Sequence, residues 1–339
     1  MHMADALLSP AVGAAMSAVS TGAIAWSAVR IRKSGLGERK VPVMAVAGAF
    51  VFAAQMINFT IPGTGSSGHI GGGILLSAML GGYPAMLTLT AVLLIQALFF
   101  SDGGLLALGC NLFNMGVIPC LLVYPFLFRP LIRKAATPSR ITFASIAAVV
   151  VGLQLGAFAV VLETTASGIA VLPFDTFALL MQPIHLAIGL VEGVVTAGIL
   201  VYVHRMRPEL LPGAASGTPL AAGLPLKKVL LTLGIAALIV GGALSLFASA
   251  WPDGLEWSME KVAGTAELEA ESGLHQAAAD IQEGTVLMPD YDYASAGEDG
   301  SATGTTVAGI VGSVATFALA GAAGLAITAA RRRRRSTGA

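Results

Sequence analysis

Charged residues are scarce in this 339-residue chain: Asp, Glu, Lys and Arg fill only 11% of positions, against about a quarter in a soluble domain. That scarcity excludes an ordinary soluble enzyme, a disordered chain and a nucleic-acid binder. Cysteine is nearly absent. Cys110 and Cys120 stand alone, which excludes a disulfide-stapled scaffold and a CxxC metal site. No Lys or Arg precedes Arg30, so the basic start of a secretory signal is missing and the N-terminus reads as mature. No Gly is followed directly by Lys; without a P-loop the chain cannot hydrolyse ATP by that route. No solenoid-length period repeats.

What is present is apolar. Hydrophobic residues make up 55% of the chain and the mean hydropathy is +0.81. Apolar stretches cover 12–29, 41–61, 70–80, 84–100, 114–128, 141–162, 174–203, 229–250 and 307–330. Most approach the ~20 residues a bilayer requires, which predicts nine membrane helices. The 70–80 stretch is short, and its flanking glycines predict a broken or tightly packed helix. The expected fold class is an all-α polytopic membrane protein. Residues 1–211 hold seven spans, 212–226 form a Gly/Pro/Ala-rich linker, and 227–339 hold two helices around a loop at 251–306.

The formal net charge is zero, but the charges are segregated. Basic residues follow span one (Arg30, Arg32, Lys33, Arg39, Lys40), span five (Arg129, Arg133, Lys134, Arg140), span seven (Arg205, Arg207, Lys227, Lys228) and span nine (Arg331 to Arg335). With nine spans these 18 of 19 basic residues share one side, which the positive-inside rule makes cytoplasmic. The N-terminus is then outside and the C-terminus inside. The 251–306 loop carries twelve Asp and Glu against Lys261, a net charge of −11. It reads as a solvated acidic loop or a cation-attracting antechamber outside the membrane, with a short helix near 258–271 and a flexible remainder.

Histidines carry the chemistry. His204, beside Arg205, reads as structural, and His275 as solvated. His185 and Glu192, seven residues apart, can share a helix face as a functional or a packing pair. His2 is more informative. The Met1 α-amine, the His2 backbone nitrogen and the His2 imidazole can chelate one metal in successive rings, and a fourth nitrogen completes a square suited to Ni(II) or Cu(II). His69 can supply it. It lies in PGTGSSGHIGGG, residues 62–73, on the same side as Met1, and the glycines let such a loop fold inward along a cavity. The alternative is a loop histidine capping the next helix. Gln96, Asp102, Asn111 and Asn114 form a polar cluster on that side. Metal-bound histidines donate their other N–H to such groups, and Asp102 could equally cap a helix. Cys110 reads as a soft ligand or a small packing residue.

These segments resemble the CbiM/NikM family: the opening MHMADALLSP, GHIGGG at 68–73, DGGLLALGCNLFNMG at 102–116 and PIHLAIGLVEG at 183–193. The resemblance spans residues 1–211 and implies the seven-helix substrate-binding (S) component of an energy-coupling-factor importer for cobalt and nickel. It implies metal held by Met1, His2 and His69, and a multi-pass place in a prokaryotic plasma membrane. No cofactor is implied: Ni2+ or Co2+ is the transported ligand, with nickel slightly favoured by the square ligation. The chain is then not an enzyme, and ATP is hydrolysed by partners, a CbiQ/NikQ-like coupling T component and CbiO/NikO-like ATPases. The opening departs from the commoner Met-His-Ile form at Met3, Ala4 and Ala6 but keeps Met1 and His2. WPDGLEW at 251–257 resembles the PDGLE motif of NikN/CbiN-type accessory subunits, with Asp253, Gly254, Leu255 and Glu256 as its core, so the chain resembles a NikM–NikN fusion. Small-residue helix ends near Leu325 are expected to pack against partners. The alternative is a membrane-embedded metal sensor or metalloenzyme without ATPase partners. Four nitrogens closing a square leave a metalloenzyme no good in-plane position.

Overall fold

The computed structural model describes residues 2–36, 40–211, 226–266, 268, 272–295 and 301–336; Met1, Arg39 and the linker positions 212–225 lie outside them. The first unit runs α1 (Pro10–Ser34), α2 (Lys40–Gln55), β1 (Phe59–Ile61), β2 (Ser66–Gly68), α3 (Gly73–Leu80), α4 (Gly82–Phe99), α5 (Leu108–Arg133), α6 (Pro138–Ser167) and α7 (Phe174–Met206). The second runs α8 (Leu226–Gly242), α9 (Gly254–Ala263), α10 (Gly273–Thr285) and α11 (Ala302–Ser336). All nine apolar stretches contain helix. Among the described residues, six helices are long and apolar enough to cross a membrane: α1, α4, α5, α6, α7 and α11. α2, with 16 residues, and α3, with 8, are shorter, so length does not establish seven crossings in the first unit.

The reason lies in the backbone. The 41–61 stretch stops being helical at Gln55, and its end pairs as a hairpin, Phe59 opposite Gly68 and Ile61 opposite Ser66. The all-α fold therefore carries one short antiparallel ribbon where an irregular loop was expected. The lipid-facing surface is apolar: Phe126 is 78% exposed and Leu179 72%, as suits helices whose outer solvent is hydrocarbon.

The second unit packs on the first through small residues of α11. Gly312 lies under the Phe52 ring of α2 and Gly324 against Val41 and Met44, while Gly309 meets the Gly241 backbone of α8 within the second unit. Without side chains at these points the helices approach closely. The small-residue end near Leu325, expected to face partners, is thus used in part within the chain. At the basic end of the bundle, Lys40 Nζ donates to the Leu80 carbonyl (3.0 Å) and Gly35 lies against Arg331. At the other end sit His2, the hairpin and the acidic loop.

That loop is more ordered than its composition suggests. The helix expected near 258–271 begins earlier, at Gly254, and a second, α10, follows. Gln282 Nε2 donates to the Ala97 and Gly103 carbonyls (2.8 and 2.9 Å), and the Leu287 and Met288 amides donate to the Phe99 carbonyl (2.9 and 3.0 Å). His275, expected to be solvated, is buried, and its Nε2 lies 2.8 Å from the Leu8 carbonyl. These bonds tie the loop to backbone groups that no neighbouring helix satisfies.

Candidate metal site

A cleft of about 1010 Å³ opens at this end, lined by His2, His69, Asp102, Asp253 and Tyr291 among others. The two imidazoles are stacked, ring centroids 5.3 Å apart and planes 19° apart. Each is held by backbone built around it. Asn111 Oδ1 accepts from the Met3 amide (2.8 Å) and Asn111 Nδ2 donates to the Met3 carbonyl (3.2 Å). Asp5 Oδ1 accepts from the Ala107 amide (2.8 Å). The N-terminal strand is thereby clamped beside His2 on both flanks. Gly103 makes the approach possible: its φ is +82°, and a Cβ there would stand 2.8 Å from the Asn111 amide and 3.3 Å from the His2 Cβ. The hairpin then presents His69, whose Nδ1 lies 3.1 Å from the Ile70 carbonyl.

A metal–nitrogen bond is about 2.0 Å and a ring nitrogen lies roughly 1.1 Å from its centroid, so two imidazoles sharing one ion cannot have centroids beyond roughly 6.2 Å. The observed spacing falls inside that limit. His2 Nε2 lies 3.2 Å from Gln96 Oε1, and its Nδ1 lies 3.1 Å from Asp102 Oδ1. Burial pulls the His2 pKa below its ordinary value and outweighs the raising effect of Asp102. Burial pulls His69 to about 3, with His2 adding to the effect. Both rings therefore stay neutral at pH values where free histidines take up protons, leaving lone pairs for a cation. The expected consequence is a pH profile for metal binding that does not steepen as pH falls through 6.5. Two extra protons released per metal around that pH, in calorimetry at stepped pH, would mark ordinary histidines and overturn it.

The remaining sequence candidates divide. Asp102 does not cap a helix; it faces His2, and its other oxygen accepts from the Tyr291 hydroxyl. Gln96 joins the site directly, whereas Asn111 reaches only Met3. Asn114 Nδ2 donates to Glu163 Oε2 (2.8 Å). His185 and Glu192 serve different partners: His185 Nδ1 lies 2.8 Å from the Met181 carbonyl, and Glu192 Oε1 accepts from the Gly72 amide (3.0 Å), anchoring the glycine loop behind His69. Cys110 is buried in the apolar core. Among the described residues no three His, Cys, Asp or Glu side chains form a metal cluster.

The PDGLE segment lies on the hairpin. Pro252 O accepts from the Ser67 amide (2.8 Å), Trp251 O from Ser67 Oγ (2.6 Å), and Trp257 Nε1 donates to Thr64 O (3.0 Å). Asp253 and Glu256 form a reciprocal cap of α9, which satisfies amides a helix start leaves open. Gly254 packs on α7, where a Cβ would come within 2.8 Å of Ile188 Cδ1 and 3.0 Å of His185 Cε1. Gly254→Val is expected to weaken this docking by about 1–3 kcal/mol, seen as faster limited proteolysis of the 251–295 segment. Gly234→Ala, where nothing lies within 4 Å, serves as control, and equal proteolysis of the two variants would refute the close-packing role. Sequence reading missed Gln55, Ser67, Glu163, Trp257 and Tyr291. Glu163, an acid in an apolar stretch, was the one with a visible signal.

A multi-pass bundle with a metal-sized histidine pair facing one end belongs to the class of membrane metal transporters. The comparisons agree. Residues 2–210 match the family described as CbiM, cobalt uptake substrate-specific transmembrane region, and residues 227–329 match the PDGLE domain. The chain belongs to the CbiM family. The fused nickel transport protein NikMN of Rhodobacter capsulatus is 32% identical, covering 80% of this chain and 81% of its own, and a NikMN relative in Archaeoglobus fulgidus is 32% identical over 94% and 96%. The cobalt transport protein CbiM of Geobacter sulfurreducens is 30% identical over 78% of each chain. A crystal structure of a truncated transition metal transporter is 30% identical with a TM-score of 0.53, covering 60% of this chain and 99% of that one. The chain is therefore a multi-pass membrane component of nickel or cobalt transport, and not an enzyme.

Proposed function

We propose that this chain is the substrate-capture component of an energy-coupling-factor importer, with nickel as its preferred ion, held by the Met1 amine, the His2 amide and imidazole, and His69. The observation that carries this reading is the His2–His69 pair at 5.3 Å, next to the N-terminus whose nitrogens can fill the rest of a square. Ligation by four nitrogens in a plane favours Ni(II) over Co(II), which more readily takes other geometries. Residues 1–211 form the capture unit, 212–226 the linker, and 227–339 the module that promotes loading through its contacts with Ser67 and Asp102. The N-terminus is outside, where a positive ion meets the acidic loop, and the polybasic C-terminus is cytoplasmic. A CbiQ/NikQ-like coupling protein and CbiO/NikO-like ATPases supply the inward step.

The test is the metal content of the protein purified with its native start after growth in equimolar nickel and cobalt, together with co-purification of the partner subunits. One nickel per chain and a stable complex are expected. Protein loaded chiefly with cobalt would overturn the preference, and metal uptake in cells lacking the ATPases would overturn the energy source.

A further inference from the structure

Gln55 and Gln96 are buried polar residues on two different helices, α2 and α4. Gln55 Nε2 donates to the Gly71 carbonyl (2.9 Å), and Gln96 Nε2 donates to Gln55 Oε1 (2.8 Å). Gln96 Oε1 then lies 3.2 Å from His2 Nε2. The order of this chain has only one direction. A backbone carbonyl can only accept, so Gln55 must turn its NH2 to Gly71 and its oxygen to Gln96. Gln96 must meet that oxygen with its own NH2, which leaves its oxygen toward His2. Gln96 thus offers an acceptor to His2 Nε2, as Asp102 Oδ1 offers one to Nδ1 (3.1 Å).

The geometry points to Gln55 and Gln96 as positioning residues that orient the His2 ring for metal binding and couple it to the glycine loop bearing His69. This rests on the proposed ligand set. Nδ1, which faces Asp102 Oδ1 at 3.1 Å, is the nitrogen that can close a chelate ring with the His2 backbone amide, the metal taking the place of that contact; Nε2 points away from the amide, and the hydrogen it carries in the metal-bound ring is met by the Gln96 oxygen. The relay begins at Gly71, two residues beyond His69, and Glu192 Oε1 accepts from the next amide, Gly72 (3.0 Å). The carbonyl that orients the first imidazole therefore travels with the loop that presents the second. A loop out of place releases Gln55, lets the Gln96 amide turn over and offers His2 the wrong partner. Two neutral amides are well suited to this: each is donor and acceptor at once, and each transmits orientation without placing a charge at membrane depth.

Nickel affinity of the full-length protein in detergent, measured by isothermal titration, tests the inference. Gln96→Leu is expected to weaken binding about 10–100-fold, the usual loss when the acceptor behind a metal-bound histidine is removed, and Gln55→Leu about tenfold. Gln96→Glu keeps an acceptor for the His2 N–H but loses the donor to Gln55 Oε1, and is expected to lose about as much as Gln55→Leu and less than Gln96→Leu. The double variant Gln55→Leu/Gln96→Leu should lose no more than Gln96→Leu alone, because both act through one relay. Additive losses, or a Gln55→Leu protein within twofold of the parent, would overturn the coupling. His2→Ala separates the two levels of argument: if it binds nickel normally, the ligand set itself is wrong, whereas loss with His2→Ala and none with either Gln→Leu variant removes only the relay.

Discussion

His2→Ala and His69→Ala each lower nickel affinity by about a thousandfold or more, roughly 4 kcal/mol at 1.4 kcal/mol per decade. Each variant deletes one nitrogen of four, and His2→Ala also opens a chelate ring. Remaining donors cannot compensate, since the described residues around the cleft include no three-membered His, Cys, Asp or Glu cluster. Both rings line an open cleft rather than the apolar core, so both variants should fold, which circular dichroism through a thermal melt checks. Titration calorimetry with the native N-terminus reads the affinity. Two variants that both bind within threefold of the parent would remove the histidine pair from the argument.

Acetylating the α-amine of Met1 is expected to be as damaging. Acetylation turns the amine into an amide, which donates only after losing its proton, and so removes the neutral anchor beside which the metal displaces the His2 amide proton to build the ring sequence of amine, backbone nitrogen and imidazole. The same loss is expected when a long N-terminal tag is left in place, and recovery is expected when the tag is cleaved to leave Met1 first. A single added residue is a poorer test: it moves the imidazole to third place, where the terminus, two backbone nitrogens and the ring supply four donors by themselves. That variant should still bind nickel but lose its dependence on His69. Normal affinity in the acetylated protein would show that the amine is no ligand.

How much of this was legible differs from residue to residue. His2 was readable because its chemistry is local: three donors within two residues need no tertiary structure to be near one another. His69 was readable as a neighbour of His2 because its glycine-rich setting and its end of the bundle both follow from the order of the chain. The acidic loop was read as a short helix with a flexible remainder; positions 267, 269–271 and 296–300 lie outside the described residues, and the described remainder is largely helix and turn. Its low hydrophobicity predicts that it cannot hold itself together, which is sound for an isolated segment. Its order comes from carbonyls of Ala97, Phe99 and Gly103, groups almost two hundred residues away. Tyr291 escaped notice for the same reason. Its place beside Phe100, centroids 4.8 Å apart, and its bond to Asp102 depend on how the two units dock.

By itself the sequence determined the solvent of this protein, the end of the bundle that carries charge and the pair of imidazoles, because hydropathy, basic residues and the setting of each histidine act through composition and nearest neighbours. Tertiary structure alone decided that the PDGLE segment lies on the hairpin, that Asp102 meets both His2 and Tyr291, and that two glutamines join the His69 loop to His2. Those contacts are made by helices and loops far apart in the chain, and their distances are set by which small residues allow which backbones to approach. A one-dimensional pattern does not contain that quantity.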